Sequence, residues 1–356
     1  MSRKVIYIAS TEELAGKSVV TISLALKAKE LGKKVGYFKP IGLGSILSPT
    51  GEVIDEDVET MKEILGLERE IDLICPIVLG RGEFLEGFDR SKIPEYVDKI
   101  TASYEKSSQD KEIMLIEGPP SLSVGSFLGS PVPKLAADFD AKILLVSRVK
   151  DDFVVDELLQ ARDCCIKWQV SPFGVILNRV PTDKTAKVEQ VIKPFLEENG
   201  LDVLGVIPED KVLSSLTVRE IFESLGGKII AGKEGLDNMV QTFLIGAMTT
   251  ESAVRYFRKA TNKLVITGGD RTDVIFAALE TGTSALILTG NLHPSVKILP
   301  RADDLGVPII LVPHDTYTTL QMMQRIVGRI KPEDRMRITI ARKLLEENVN
   351  WKKILA

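Results

Sequence analysis

The stretch that decides the fold is Ile6-Tyr7-Ile8-Ala9-Ser10-Thr11-Glu12-Glu13-Leu14-Ala15-Gly16-Lys17-Ser18. Its apolar, β-branched first part predicts a strand, and an amphipathic segment (residues 19–31) predicts a helix after the loop. Backbone N–H groups and the helix dipole at the start of such a helix favour bound phosphate. We therefore expect Lys17 to reach the β- and γ-phosphates of a nucleoside triphosphate and the Ser18 hydroxyl to ligate Mg²⁺.

Two features of the loop bear on this interpretation. Lys17 could instead be a surface lysine, but the dipole at a helix start repels cations, so phosphate binding is the better explanation. The first glycine that is usual in such loops is replaced by Thr11, with Ser10 just before it. Serine is small enough for a phosphate to approach closely, whereas a left-handed conformation at Ser10 would be strained.

Composition narrows the class of protein. With 356 residues the chain is too long for one ordinary core, so two domains are expected. A net charge of −4 predicts no surface for nucleic acid or an anionic membrane. No run reaches the roughly 20 apolar residues of a membrane span, and the short first run predicts no cleavable signal. Three cysteines cannot form a disulfide framework, which favours a reducing cytoplasm.

Short apolar runs alternate with helical patterns through residues 1–210. The runs are apolar almost throughout, as in strands that are buried on both faces of a parallel sheet. We predict strands at 5–9, 35–39, 113–117, 143–147, 174–178 and 203–207. We predict helices at 19–31, 57–65, 94–107, 153–168 and 187–199. This alternation predicts an α/β fold with a doubly wound, mostly parallel sheet and ligands at the carboxyl ends of its strands.

A second, smaller α/β set follows. Its predicted strands are 263–267, 285–288 and 307–312, and its predicted helices are 218–225, 250–259, 273–281 and 316–327. We therefore expect a first domain at residues 1–210, a second at 211–330 and a helical tail at 331–356.

Polar residues stand where several predicted strands end. Lys39 should lie on the same rim as the loop, although a lone lysine there is usually solvated. Asp55 and Asp57 precede a helix, where they could serve as caps or supply a carboxylate to Mg²⁺. Glu117 ends a buried strand, so it should pair or meet a metal, since a lone buried carboxylate is costly. Asn178 could read a purine edge or cap the following turn.

In the second domain, Asp270, Arg271 and Thr272 stand between a predicted strand and a predicted helix. They could hold an anion through backbone N–H groups and the guanidinium. Alternatively, Asp270 caps the helix and Arg271 pairs with a carboxylate, and we favour this structural explanation. The apolar residues Leu320, Met322, Met323 and Ile326 suit packing or a homo-oligomer interface.

Taken together, the motifs of the first domain resemble the dethiobiotin synthetase family of P-loop proteins. The matching residues are Ser10 to Ser18, Lys39-Pro40, Glu117-Gly118, Asn178 and Gly205-Val206-Ile207-Pro208. The resemblance implies a P-loop NTPase-type fold that binds ATP, with Mg²⁺ held by Ser18, Asp57 and Glu117. It also implies catalytic roles for Lys17 and Lys39. The nucleotide-binding residues that it implies are Ser10, Thr11, Ala15, Gly16, Lys17, Ser18, Val19, Asn178 and Pro208, the last two near the adenine.

Two departures from that family concern its substrate side. Pro119-Pro120 stands where the family has glycine-rich residues, and Leu14 stands where it has an acidic residue. Dethiobiotin synthesis itself is therefore disfavoured.

A closer resemblance covers nearly the whole chain. The loop with Lys39-Pro40-Ile41-Gly42 looks like the N-terminal half of long phosphotransacetylases. Gly268-Gly269-Asp270-Arg271-Thr272-Asp273, followed by Leu288-Thr289-Gly290-Asn291, is similar to the DRTGG domain found there. In those enzymes an acetyltransferase domain comes next, whereas this sequence ends at Ala356. We therefore expect no acetyl-transfer activity, and a part that resembles a regulatory one.

Three hypotheses about function follow. The leading one is a Mg-ATP-responsive regulatory protein with a protein partner in acetyl or central metabolism. The second is an ATP-dependent ligase that activates a carboxylate, as in dethiobiotin synthetase and cobyrinic acid a,c-diamide synthase, or a weak ATPase. The third is a scaffold with a vestigial nucleotide site.

Overall fold

The computed structural model describes residues 3–44, 46–47, 53–80, 85, 89–324, 326 and 330–356. The chain divides into two compact units. The first unit comprises residues 1–209 together with 330–356, and the second comprises residues 210–329. In the order of the chain, the second unit is therefore inserted between two parts of the first.

The first unit is built on a parallel sheet of six of its strands. Its strands are β1 (Lys4–Ser10), β2 (Val35–Phe38), β3 (Ile41–Leu43), β4 (Ile46–Leu47), β5 (Val53–Ile54), β6 (Ile77–Leu79), β7 (Ile113–Glu117), β8 (Lys142–Arg148), β9 (Pro172–Val180) and β10 (Val203–Pro208). The order in the sheet is β10-β9-β8-β1-β7-β2. After β1 the chain builds one side of the sheet, and from β8 onward it builds the other. The carboxyl end of β1 is thus a switch point, where ligands bind in folds of this type.

The strands form because continuous apolar runs can be buried on both faces. All of β7 is buried, and in β1 only Lys4 is partly exposed. Each strand predicted at residues 1–210 is present, with bounds that differ by a few residues. Two small pairs lie outside the main sheet: β3 pairs with β6 in parallel and β4 with β5 in antiparallel.

Helices connect these strands. They are α1 (Lys17–Glu30), α2 (Glu56–Leu65), α3 (Ile71–Ile74), α4 (Ile93–Ser108), α5 (Val132–Asp138), α6 (Phe153–Lys167), α7 (Thr185–Lys187) and α8 (Lys193–Glu198). A π-helical turn at Val188–Ile192 joins α7 to α8, so the helix predicted at 187–199 is present but irregular. The sequence patterns did not predict α3 and α5, which are short.

The second unit has its own sheet. Its strands are β11 (Leu216–Thr217), β12 (Lys228–Ala231), β13 (Met239–Val240), β14 (Thr242–Ile245), β15 (Lys263–Gly268), β16 (Thr283–Thr289) and β17 (Ile309–Leu311). Five of them form a sheet in the order β12-β17-β16-β15-β14, in which β12 is antiparallel. Strands β12 and β14 were not predicted, because each is short and only partly buried.

The helices of the second unit cover this sheet. They are α9 (Lys211–Ser214), α10 (Val218–Leu225), α11 (Thr250–Phe257), α12 (Thr272–Leu279), α13 (Ile298–Asp304) and α14 (Thr316–Gln324). The end of the helix predicted at 316–327 falls partly on residues outside the described ones. Met323 is buried, and Leu320, Met322 and Ile326 pack against the same core, so this apolar group serves packing.

The last segment of the chain packs on the first unit. Helices α15 (Arg335–Asn348) and α16 (Trp351–Leu355) follow the second unit. The backbone N–H of Asn350 donates to the Leu204 carbonyl at 2.7 Å, and Gly205 and Val349 form an antiparallel bridge beside β10. Helix α15 also contacts α1. Within the described residues, no helix combines the length and apolar character needed to cross a membrane.

Candidate nucleotide site

Gly16 shapes the loop between β1 and α1. Its φ is +87°, in the left-handed region that favours glycine. A Cβ atom at this position would lie 2.3 Å from Nδ2 of Asn178, far inside van der Waals contact. Any other residue at position 16 would therefore be strained in its backbone and would clash with Asn178.

Lys17 opens α1 and is buried, with 7% of its surface exposed. Its Nζ donates to the hydroxyl oxygen of Ser10 at 2.7 Å. Burial lowers the pKa of Lys17 to about 8, although the nearby Glu117 carboxylate acts in the opposite direction. The ammonium group is thus held across the loop by a neutral partner.

Ser10 lies at the end of β1, and its φ is not positive. The strain that the sequence suggested for this residue is therefore absent. Its hydroxyl donates to the carbonyl oxygen of Glu12 at 2.7 Å and lies 3.1 Å from that of Pro120. A serine in place of glycine thus ties the start of the loop to the segment after β7.

Glu117 ends β7 and is almost fully buried, with 1% exposed. The hydroxyl of Ser18 donates to its Oε1 at 2.8 Å, and the hydroxyl of Tyr37 lies 3.3 Å from its Oε2. Burial raises the pKa of Glu117, while the Lys39 ammonium acts to lower it. Two of the three predicted metal ligands, Ser18 and Glu117, are therefore in contact.

Lys39 joins the third predicted ligand to this group. Its Nζ lies 2.8 Å from Asp57 Oδ2, 2.9 Å from Asp55 Oδ1 and 3.8 Å from Glu117 Oε1. Burial alone would lower the pKa of Lys39, but the three carboxylates outweigh it and raise the pKa above the ordinary lysine value. Lys39 is thus the cation of a buried carboxylate cluster, not the solvated lysine that is usual at such a position.

Asp55 both caps a helix and serves the cluster. Its Oδ1 accepts from the backbone N–H of Asp57 at 3.0 Å at the start of α2, and its Oδ2 accepts from that of Leu43 at 2.8 Å. For this acidic run the sequence left helix capping and a carboxylate for Mg²⁺ as alternatives; Asp55 caps α2 and pairs with Lys39.

Asn178 holds the loop from β9, which is separated from β1 by β8 in the sheet. Its Nδ2 donates to the carbonyl oxygen of Ala15 at 2.7 Å. Thr11 lies on the same side, with its hydroxyl 3.0 Å from that of Ser147. Pro208 pairs with Val180 at the end of β10. These loop and strand residues all lie at the carboxyl edge of the sheet, as the sequence predicted.

Val19 lies in the first turn of α1 and is partly buried. Its side chain has no hydrogen-bonding group, so any hydrogen bond from Val19 to a ligand must come from its backbone.

The predicted residues of the second unit form a different arrangement. The N-cap of α12 is Arg271, without a side-chain capping bond, so the expectation that Asp270 caps this helix is wrong. Arg271 Nη2 donates to the Met248 carbonyl at 2.9 Å, and its Nε lies 3.8 Å from Asp273. The backbone N–H of Thr272 bonds to the carbonyl of Asp270 at 3.0 Å. Arg271 therefore serves mainly to hold the loop after β14.

Two groups at the site were not found from the sequence. Tyr37 contacts Glu117 from inside an apolar strand, where an aromatic residue gives no functional signal. Arg179 follows Asn178 and lies beside Gly16, 3.9 Å from the Cβ position of that glycine. Its only sequence signal is its place next to Asn178.

Comparison with known families agrees with this geometry. The AAA domain family matches residues 4–217, and the DRTGG domain family matches residues 220–326. The first match covers more than half of the chain and contains the whole P-loop region. The second lies within the inserted unit.

Two individual relatives agree with these families. The phosphate acetyltransferase of Synechocystis sp. is 24% identical over 367 residues, which cover 98% of this chain and 51% of that protein. The ATP-dependent dethiobiotin synthetase BioD of Methanococcus vannielii is 26% identical over 210 residues, covering 58% of this chain and 94% of that enzyme. Among solved structures, the MinD cell division protein of Aquifex aeolicus is 19% identical, with a TM-score of 0.37 over 59% of this chain and 84% of its own.

The chain spans about half the length of the phosphate acetyltransferases that it matches. The strand, loop and helix at Gly16 and Lys17 agree with the family match over the same residues. The chain thus belongs to the AAA domain family of P-loop proteins, and its inserted second unit carries a DRTGG domain.

Proposed function

We propose that the first unit binds Mg-ATP. The observation that carries this proposal is the state of Lys17: its buried ammonium group has a hydroxyl as its hydrogen-bond partner and no ion pair with any described residue. Burying a charge without an opposite charge is unfavourable. A phosphate at the start of α1 supplies that opposite charge, and the backbone N–H groups there assist it.

The residues around Ser18 fit Mg²⁺. They offer hydroxyl and carboxylate oxygens, which this ion prefers, and it characteristically takes only one or two carboxylates with phosphate and water oxygens. Among the described side chains, no three of His, Cys, Asp or Glu form a group able to hold a metal by themselves. Ser18 and Glu117 would hold the ion beside the phosphates together with Asp57, which is linked to Glu117 by its ion pair with Lys39. The ion would neutralise part of the phosphate charge there.

Asn178 and Pro208 are the residues that we assign to the adenine. The Nδ2 of Asn178 is committed to Ala15, which leaves its Oδ1 as a hydrogen-bond acceptor. The exocyclic amine of adenine is a donor, whereas guanine carries an acceptor at the corresponding position. ATP is therefore the nucleotide that suits this side chain.

We further propose a regulatory role in the cytoplasm, as a homo-oligomer with a protein partner in acetyl or central metabolism. Helix α1 begins at the P-loop, and α15, which follows the second unit, packs along it. Glu346 lies 3.0 Å from Lys27, and Lys27 Nζ lies 4.8 Å from the ring centre of Trp351. A structural change at either end of α1 can therefore be passed to α15 and α16, which follow the DRTGG domain in the chain. We assign no residue of this chain to acetyl transfer.

Thermal unfolding with and without Mg-ATP tests the binding proposal. A ligand at a hundred times its Kd stabilises the native state by about 2.7 kcal/mol, so the midpoint should rise clearly. Lys17→Ala should abolish the shift, whereas Lys134→Ala, which removes a partly exposed lysine paired with Asp138, should leave it unchanged. No shift in the wild-type protein at millimolar nucleotide would favour a scaffold with a vestigial site.

One observation favours a second candidate, an ATP-dependent ligase. Lys39 sits among carboxylates at the strand end beside Glu117, and rearrangement on binding could turn it toward a substrate carboxylate. Steady-state ATP hydrolysis measured with and without small carboxylic acids separates the two functions. Turnover that depends on an added acid would replace the regulatory proposal with the ligase.

A further inference from the structure

Two arginines at the carboxyl edge of the first sheet lack partners among the residues that the structure describes. Arg148 ends β8 opposite Asn178 in the strand register, and Arg179 follows Asn178 in β9. Neither guanidinium makes a hydrogen bond or an ion pair with the described residues, and Nε of Arg148 is fully buried. A guanidinium has five N–H donors, and a buried donor without a partner, such as Nε of Arg148, is unfavourable.

The backbone of Arg179 is also unusual. Its φ is +51°, in the left-handed region, although it lies inside a strand. Asn and Asp account for most of the other non-glycine residues that have a positive φ in the described chain, and they tolerate it better. Such a conformation costs on the order of 1–3 kcal/mol and is often retained at functional sites.

The left-handed turn places the side chain at the loop. Neighbouring side chains of a regular strand point to opposite faces, but Asn178 and Arg179 both reach Gly16. The Cβ position of Gly16 lies 2.3 Å from Asn178 Nδ2 and 3.9 Å from Arg179 Nε. The guanidinium of Arg179 is therefore next to the amide that we assign to the adenine.

The charges around Arg179 favour a ligand. Burial lowers its pKa most, and Arg148 lowers it further by repulsion. Glu209 and Glu12 act in the opposite direction, but neither lies within ion-pair distance of Arg179, and Glu12 is bound to Lys150. No described carboxylate is thus in place to neutralise the two arginines.

We propose that Arg179, supported by Arg148, is a specificity-determining residue that packs its planar guanidinium against the nucleoside end of the bound nucleotide. This inference rests on the proposed nucleotide binding. A flat, weakly hydrated guanidinium stacks well on aromatic rings, which an ammonium group cannot do. The ligand contact would also account for the strained backbone of Arg179 and for two guanidinium groups that have no partner among the described residues.

The test compares Arg179→Asn with the wild-type protein by calorimetric titration with Mg-ATP and with Mg-tripolyphosphate, which lacks the nucleoside. Asparagine tolerates the left-handed conformation, so the ligand-free variant should unfold at the same temperature or higher. Mg-ATP should bind about tenfold more weakly, as expected for one lost cation–π contact. Binding of Mg-tripolyphosphate should change less than about twofold.

Two further variants complete the experiment. Arg148→Gln leaves the left-handed residue untouched and should weaken Mg-ATP binding by about threefold. Arg219→Gln, which removes an exposed arginine of the second unit, should change nothing. Equal losses for both ligands in Arg179→Asn, or no loss for either, would overturn this inference alone. Failure of the wild-type protein to bind Mg-ATP would overturn both this inference and the proposed function.

Discussion

The hydroxyl oxygen of Ser10 lies 2.7 Å from Nζ of Lys17. The last residue of β1 thus holds the first residue of α1, and the loop between them is closed by a bond from a buried cation to a neutral acceptor. An unmatched charge of this kind lowers the stability of the ligand-free protein.

The pH dependence of unfolding should show this effect. The pKa of Lys17 is about 8 in the folded protein and 10.5 when the chain is unfolded. Between these values the unfolded chain binds more protons, so the free energy of unfolding should rise with pH across this window. Lys17→Met should be more stable than the wild type at pH 7, by up to about 3 kcal/mol, and the difference should vanish above about pH 10.5. Urea unfolding at several pH values measures this, and a variant less stable at pH 7 would contradict it.

Substitution of Gly16 separates backbone strain from a steric clash. Gly32 has a similar φ of +74°, but a Cβ there meets nothing within 4 Å, so Gly32→Ala should lose only about 1 kcal/mol. Gly16→Ala adds a contact with Asn178 and should lose about 3 kcal/mol. Removing the amide with Asn178→Ala should recover part of that loss in the double variant. Chemical denaturation of the four variants provides the data, and equal losses at both glycines would rule out the clash.

The fold could be predicted well from the sequence because buried parallel strands give long apolar runs, as in β7 and β8. The elements that were missed, such as β12 and α13, are short and lack such a run. Their presence depends on neighbours distant in the sequence.

The site could be predicted in part. Strand ends pointed to Lys39, Glu117 and Asn178, since polar residues after apolar runs are conspicuous. The sequence could not show that Lys39 would be neutralised by three carboxylates, because Asp55 and Glu117 meet only in the fold. The position of Arg179 beside the loop depends on its single positive φ angle. Neither the composition of the sequence nor the spacing of its motifs reveals such an angle.

The carboxylate cluster predicts a strong effect at Lys39. Lys39→Met leaves the buried Asp55 and Glu117 and the partly buried Asp57 without their cation and should lose about 3–5 kcal/mol at pH 7. Because burial raises the pKa of Glu117, its charge in the variant should oppose folding increasingly as the pH rises above its ordinary value of 4.5. Adding Glu117→Gln should therefore restore part of the stability. Lys134→Met, at an exposed pair, should change the free energy of unfolding by less than about 1 kcal/mol. Thermal unfolding at pH 5 and pH 7 checks both statements, and a loss that does not depend on pH would argue against the cluster.

The contact between α1 and the last helices predicts how nucleotide binding spreads. Because Lys27 of α1 lies against Trp351, Mg-ATP should slow amide hydrogen exchange in α15 and α16 as well as at the P-loop. Trp351→Ala should keep the protection at residues 16–20 and lose it in α15. The matched control is Trp168→Ala at the end of α6, which should preserve protection in both regions. Hydrogen–deuterium exchange by mass spectrometry resolves these segments. Protection of α15 that survives Trp351→Ala would show that the signal leaves the P-loop by another route.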